Sequence, residues 1–187
     1  MKEIIFLIGF RGVGKTTVGR QLAERLGFAF LDTDTLICEQ KGATVNAIVE
    51  AEGWEGFRSC EQEILRGLGE QKRCVIATGG GAILHRHLWP PLKERGHVVW
   101  LTADPDILCQ RIVADSNSAA SRPSLSGKEV GAEVREILAV RDPLYRETAD
   151  IIVDTGRLSV PEILEKITNY ELGITNDSSS GFLIRNS

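Results

Sequence analysis

Apolar residues recur along this chain in two rhythms. Five short runs are nearly uninterrupted: Ile4–Ile8, Phe28–Leu31, Cys74–Ala77, Val98–Leu101 and Ile151–Val153. Their length and β-branched content predict strands, and the lack of polar alternation predicts strands covered on both faces. Between them apolar positions return every three or four residues, as at Val18, Leu22 and Leu26 or at Ile64, Leu65 and Leu68. That spacing predicts helices with one buried stripe. Strands alternating with helices predict an α/β fold in three layers, a five-stranded parallel sheet with helices on both faces.

Punctuation supports the same division. Asp104-Pro105 places a capping side chain before a proline at a first helical position. Ser126 with Glu129, and Ser159 with Glu162, have capping-box spacing. Gly27 and Gly53 fall where helices should end. Two stretches break the pattern. Residues Asp115–Ser126 (DSNSAASRPSLS) are small and polar, and predict a mobile loop. The tail 173–187 has no sustained periodicity and is expected to pack poorly. A single domain over 1–172 is therefore expected, with a loop at about 115–126, and no internal repeat is visible.

Composition narrows the function. With 42% hydrophobic and 26% charged residues, the chain lies in the ordinary globular range. Acidic residues outnumber basic ones, 26 to 22, so no overall positive field favours nucleic acid and any anion must be gripped locally. No run approaches the ~20 apolar residues of a membrane span, and MKEIIFLIGF lacks the length and cleavage site of a secretory segment. Four scattered cysteines, Cys38, Cys60, Cys74 and Cys109, form no C-x-x-C pair and are expected to be free thiols in the cytosol.

Chemistry enters at Gly9-Phe-Arg-Gly-Val-Gly14-Lys15-Thr16, a full G-x-x-x-x-G-K-[ST] between a predicted strand and a predicted helix. Glycines let successive N–H groups curl inward around phosphate oxygens, and the helix adds its positive end. Gly12, Val13, Gly14, Lys15, Thr16 and Thr17 are the expected ATP contacts. Lys15 can reach the β- and γ-phosphates, and the Thr16 hydroxyl can hold Mg²⁺. The N-K-x-D run of a GTPase is missing, and the glycine spacing is not the G-x-G-x-x-G of a dinucleotide site. A small-molecule kinase remains.

After the second strand stand Asp32 and Asp34. Spaced i, i+2 at a strand end, they would point the same way; one could orient Mg²⁺ through water while the other accepts a hydroxyl proton. Turn and cap aspartates are equally common there, and the spacing leaves both readings open. Further along come Gly53-Trp-Glu-Gly-Phe57-Arg58 with Glu61, then Thr78-Gly79-Gly80-Gly81, Arg122-Pro123, and Arg141-Asp-Pro-Leu-Tyr145-Arg146. In this order after a P-loop, these pieces resemble the shikimate kinases over about residues 3–170.

The resemblance implies the P-loop kinase fold with strand order 2-3-1-4-5 and phosphorylation of the 3-hydroxyl of shikimate by ATP. It implies Asp34 as base and Asp32 as the water-mediated partner of Mg²⁺ beside Thr16. Arg58 and Arg141 would clamp the substrate carboxylate, and Gly79, Gly80 and Gly81 would offer a wall without side chains. Arg111 would lie beside adenine, with Pro161 a weaker candidate there, and Arg122 would sit on a lid that closes over the phosphates. Catalytic roles are thus expected of Lys15, Asp34 and Arg122.

Other residues stay outside the expected chemistry. Trp54 and Phe57 fit pocket lining and simple packing equally well, and Trp89 and Trp100 are expected to be structural. His85, His87 and His97 lack the spacing of a zinc site and receive no role. Arg11, inside the P-loop, has no assigned part. The alternatives are a kinase for another small acceptor (gluconate or a nucleoside monophosphate) and a nucleotide-binding regulator without turnover. A cytoplasmic monomer is expected, with no nucleic-acid or membrane partner.

Overall fold

The computed structural model describes residues 2–115 and 129–171. Strands β1 (Ile4–Ile8), β2 (Ala29–Asp32), β3 (Cys74–Ala77), β4 (Gly96–Thr102) and β5 (Ile151–Asp154) form one sheet in the order β2-β3-β1-β4-β5. All four pairings are parallel. The helices are α1 (Lys15–Leu26), α2 (Thr33–Lys41), α3 (Val45–Gly67), α4 (Trp89–Arg95), α5 (Pro105–Ala114), α6 (Val130–Thr148) and α7 (Val160–Glu171). Fold class and strand order match the expectation. The expected lid around Arg122, the Ser126 cap and the tail 173–187 lie outside the described residues.

Central β1 explains why the strands read as unbroken apolar runs. All five of its residues are buried, yet they serve two cores. Ile5 and Leu7 pack with Val18 and Leu22 of α1 and with Leu108 of α5. Ile4, Phe6 and Ile8 pack with Leu65 of α3 and Trp89 of α4. A strand between two helical layers has no solvent face, hence no polar alternation. Wherever sequence and structure differ in strand limits, the shift is one or two residues, as at β4.

Helix α6 belongs to both layers. Val134 and Leu138 near its start join the first core, while Tyr145 and Ala149 near its end join the second. Arg141 lies between those pairs and is buried at 8% exposure. A third cluster, with Ile37 of α2 and Val45, Ile48, Phe57 and Cys60 of α3, lies beside the main cores.

The expected caps are present where they are described. Asp104 accepts from the N–H of Asp106 at 2.8 Å, and Glu162 accepts from the N–H of Ser159 at 2.8 Å. Gly27 ends α1 at φ 65°. Gly53, at φ 70° and ψ 177°, divides the α3 span across a kink: one helix ends there, as expected, and a second begins beyond it. All four cysteines are free. Among the described residues no helix is long and apolar enough to cross a membrane.

Candidate active site

The loop from Gly9 to Thr16 joins β1 to α1 at the carboxyl end of the sheet, where ligands of open α/β folds bind. Gly9, Gly12 and Gly14 all take positive φ, at 138°, 77° and 95°. At Gly9 the need is absolute: a Cβ there would stand 2.2 Å from the carbonyl oxygen of Leu101. No side chain caps α1, which leaves its first N–H groups as anion donors. The Lys15 ammonium folds back over the loop and donates to the carbonyls of Gly9 and Phe10 at 2.8 Å each.

A cleft of about 650 Å³ opens over this loop. Gly12, Val13, Gly14, Lys15, Thr16, Thr17, Asp32, Asp34 and Arg111 all line it. Its far wall is tied to the loop through Thr155. Arg111 donates to the Thr155 hydroxyl at 3.0 Å and to its carbonyl at 2.8 Å. That hydroxyl in turn donates to the carbonyl of Val13 at 3.1 Å. Arg111 thus fixes the wall between α5 and the segment after β5.

Asp32 and Asp34 both line this cleft, but strand alternation is not what brings them there. Asp32 is the last residue of β2, but Thr33 already begins α2, so Asp34 follows helical rather than alternating geometry. Asp32 is a helix cap and a site residue at once. Its Oδ1 accepts from the N–H groups of Asp34 and Thr35, at 3.1 and 3.4 Å. Its Oδ2 accepts from the Thr16 hydroxyl at 2.9 Å. Asp34 turns toward Gly79 instead: a Cβ at Gly79 would meet its Oδ1 at 2.7 Å.

A second, tighter pocket of about 40 Å³ adjoins the first, and Asp34 and Arg11 line both. Arg58, Gly79, Gly80, Gly81 and Arg141 line it, as do Trp54 and Phe57. Arg58 lies over the rings of both aromatics, 5.5 Å from each centroid. Its guanidinium presses on Gly81, where an added Cβ would come within 2.0 Å of Nη1. Arg141 donates to the carbonyl of Gly80 at 3.1 Å, and the Tyr145 hydroxyl donates to the same oxygen at 2.5 Å. Burial pushes the Arg141 guanidinium below its usual range, and the positive charge of Arg58 pushes the same way. An anion between the two arginines would relieve both effects.

Some members of this site carried no role in the sequence. Glu61 is fully buried and accepts from Arg58 at 2.7 Å and from His85 at 3.1 Å. Thr33 donates nothing to the chemistry but holds the glycine wall, accepting from the N–H of Gly79 at 2.8 Å. Arg11 reaches across to Glu133 of α6 at 2.7 Å, and Glu133 is only 1% exposed. The i, i+3 spacing of Arg58 and Glu61 was a usable signal. The Arg11–Glu133 contact spans 122 positions and leaves no local trace.

A parallel sheet in this order, a P-loop after β1 and an adjoining cationic pocket define a P-loop kinase that acts on a small hydroxyl-bearing acceptor. More specifically, the chain belongs to the shikimate kinase family, whose model, described as "SKI: Shikimate kinase", matches residues 11–170. It is 44% identical to a shikimate kinase of Syntrophus aciditrophicus over 171 residues, covering 87% of this chain and 88% of that one. It is 40% identical to shikimate kinase 2 of Yersinia pestis, covering 90% and 97%. Among solved structures, a shikimate kinase from Acinetobacter baumannii in complex with shikimate superposes with a TM-score of 0.84 at 40% identity, covering 94% and 96%.

Proposed function

We propose that this protein transfers the γ-phosphoryl group of ATP to the 3-hydroxyl of shikimate, giving shikimate 3-phosphate and ADP. The observation that carries the reading is the meeting of two clefts at Asp34, one a phosphate cradle and the other lined by two arginines. Family membership and the shikimate complex of the A. baumannii relative support the choice of acceptor.

In this reading the P-loop amides and Lys15 hold the β- and γ-phosphates. Arg58 and Arg141 pair with the substrate carboxylate, each offering a planar fork. The bare wall at Gly79, Gly80 and Gly81 lets the ring approach the backbone. Asp34 takes the proton of the 3-hydroxyl as that oxygen forms its bond to the γ-phosphorus and the bond to the ADP oxygen breaks. Arg122 from the 115–126 segment neutralises charge as the group transfers, and Arg111 flanks adenine.

Mg²⁺ fits the donor set beside the P-loop: a hydroxyl and a carboxylate oxygen 2.9 Å apart, at Thr16 and Asp32, are the hard ligands this ion prefers. Thr16 would hold it directly and Asp32 through water. When bound, the ion draws charge off the bridging phosphate oxygens. Asp32 is steadied for that task by the two N–H groups it caps. The protein is read as a cytoplasmic monomer that engages neither nucleic acid nor membrane.

A coupled ADP-release assay across shikimate, quinate, gluconate and nucleoside monophosphates tests the reading. Shikimate should exceed every other acceptor by about 10²-fold or more in kcat/KM, the discrimination expected when buried charges must be paired. A preference for gluconate or a nucleotide would overturn the choice of acceptor, and no turnover with any of them would favour a regulator.

A further inference from the structure

Glu61 presents a problem that its partner Arg58 does not solve. Its carboxylate is fully buried, and Oε1 has no hydrogen-bond donor among the described residues. That oxygen lies toward the glycine wall, 2.5 Å from where a Cβ of Gly79 would be. Burying a half-paired carboxylate is costly, so its orientation must be held by something. Arg58 is a poor anchor by itself. It sits three residues earlier on the same helix, so their pair alone ties Glu61 to no other element.

The second contact comes from another element. His85 lies in the turns that follow the glycine wall, 24 positions from Glu61, and its Nε2 stands 3.1 Å from the same Oε2 that Arg58 occupies. A carboxylate oxygen accepts, so Nε2 is the donor of this bond. The backbone of His85 is itself fixed. Its N–H donates to the carbonyl of Ala82 at 3.2 Å, and its carbonyl accepts from Leu88 at 2.9 Å. The ring is therefore presented from a rigid turn. It is only 13% exposed, so water competes weakly for the bond. An outer stitch runs beside it, with Gln62 and His87 in contact at 3.1 Å on the exposed side.

We propose that His85 is a positioning residue of the acceptor site, holding the Glu61 carboxylate so that Arg58 presents its guanidinium at the wall formed by Gly81. The bond also ties α3 to the loop carrying that wall, so the two sides of the acceptor pocket keep one spacing. This inference rests on the reading of Arg58 as a carboxylate ligand. It concerns the acceptor alone, because His85 lies outside the nucleotide cleft.

The test compares His85→Leu, which removes the donor, with His85→Gln, whose amide places a donor near the position of Nε2. Kinetics with shikimate and MgATP give KM and kcat. Titration of intrinsic fluorescence with shikimate gives a binding constant without turnover, since Trp54 lines the pocket. His85→Leu should weaken shikimate about tenfold in both KM and Kd, the scale of one charge-assisted hydrogen bond. The KM for MgATP and kcat should stay within about twofold, and His85→Gln should recover most of the loss. Unchanged shikimate affinity in His85→Leu overturns the proposal. So does an equal loss toward MgATP, or a Gln variant no better than Leu. Should His85→Leu fail to fold, His85→Asn, whose shorter amide cannot reach Glu61, is measured in wild-type and Glu61→Gln backgrounds, and equal effects in both overturn the proposal. Shikimate methyl ester separates the two levels. If the wild-type enzyme treats acid and ester alike, the carboxylate reading of Arg58 fails. If it prefers the acid, and His85→Leu keeps that preference undiminished, only the role of His85 fails.

Discussion

Between Gly9 and Thr17 the cleft is shaped mainly by backbone. The pocket around Arg58 and Arg141 combines side-chain charge from Arg11 of the loop after β1, α2, α3 and α6 with the bare glycine wall after β3. The cradle is contiguous in sequence, its shape follows from three glycines at positive φ, and its lysine is bonded to its own loop. The acceptor pocket is assembled from five segments and contains the buried ion pair of Arg58 and Glu61. A backbone cradle tolerates change in most of its side chains but not in its glycines. A charged pocket depends on each partner, because removing one leaves the other buried and unpaired.

The largest effect should come from the cradle. Lys15→Ala removes both the charge over the phosphates and the clamp on the carbonyls of Gly9 and Phe10. Turnover should fall by about 10³-fold or more. Steady-state assay with saturating MgATP and shikimate checks this; near-normal kcat would remove the nucleotide from the P-loop. Asp34→Asn comes next, since it keeps shape but cannot accept a proton. A loss in kcat of about 10²–10³-fold is expected, with ADP affinity retained. Wild-type kcat at saturating shikimate would show that the two clefts do not share Asp34 as a base.

The same contrast explains what the sequence disclosed. Alternating strands and helices, the strand order and the P-loop were legible because each depends on local spacing or on a motif with fixed flanks. So were the caps at Asp104 and Ser159. The doubt over Asp32 and Asp34 had a physical source. Asp32 accepts from two helix N–H groups and from Thr16 together, so the capping and metal readings were not rivals. His85 was passed over because zinc spacing is a local criterion, whereas its partner Glu61 is brought to it by packing of α3 against the loop after β3. Arg11 was silent for the same reason: Glu133, its partner, lies on α6. Contacts made by buried charge across 20 to 120 positions follow from the fold and cannot be read before it.

A smaller effect should mark the acceptor pocket. Arg58→Ala and Arg141→Ala should each raise the KM for shikimate roughly ten- to a hundredfold, the cost of a lost charged hydrogen bond, and leave the KM for MgATP nearly unchanged. Arg141→Ala should be the worse of the two for stability as well, since the carbonyl of Gly80 loses a donor and retains only Tyr145. Thermal unfolding of both variants reads this ordering. Parallel rises in both Michaelis constants would erase the division between the two regions.

The smallest effect lies at the other end of the sheet and should touch neither cleft. Glu171, the last residue of α7, stands 3.9 Å from His97 at the start of β4. Burial pushes its carboxyl up to about 7, with Lys2 opposing and Asp150 reinforcing the shift. The folded state therefore binds this proton more tightly than the unfolded chain, whose carboxyl titrates near the ordinary value of ~4.5. Stability from Glu171 is full below about pH 4.5 and declines as pH rises toward 7, because ionisation is penalised only in the fold. His97 works against it: burial, helped by Lys2, lowers its pKa, so acid conditions charge it at a cost. Comparing wild type with Glu171→Gln isolates the carboxyl, since the amide never ionises while His97 is common to both. The Tm of the variant relative to wild type should rise between about pH 5 and pH 7 by a few degrees, roughly the scale of a ~1 kcal/mol change in a domain of this size. Both Michaelis constants should stay unchanged across that range relative to wild type. A Tm difference that is flat with pH would mean that Glu171 is solvated in the fold as it is in the unfolded chain.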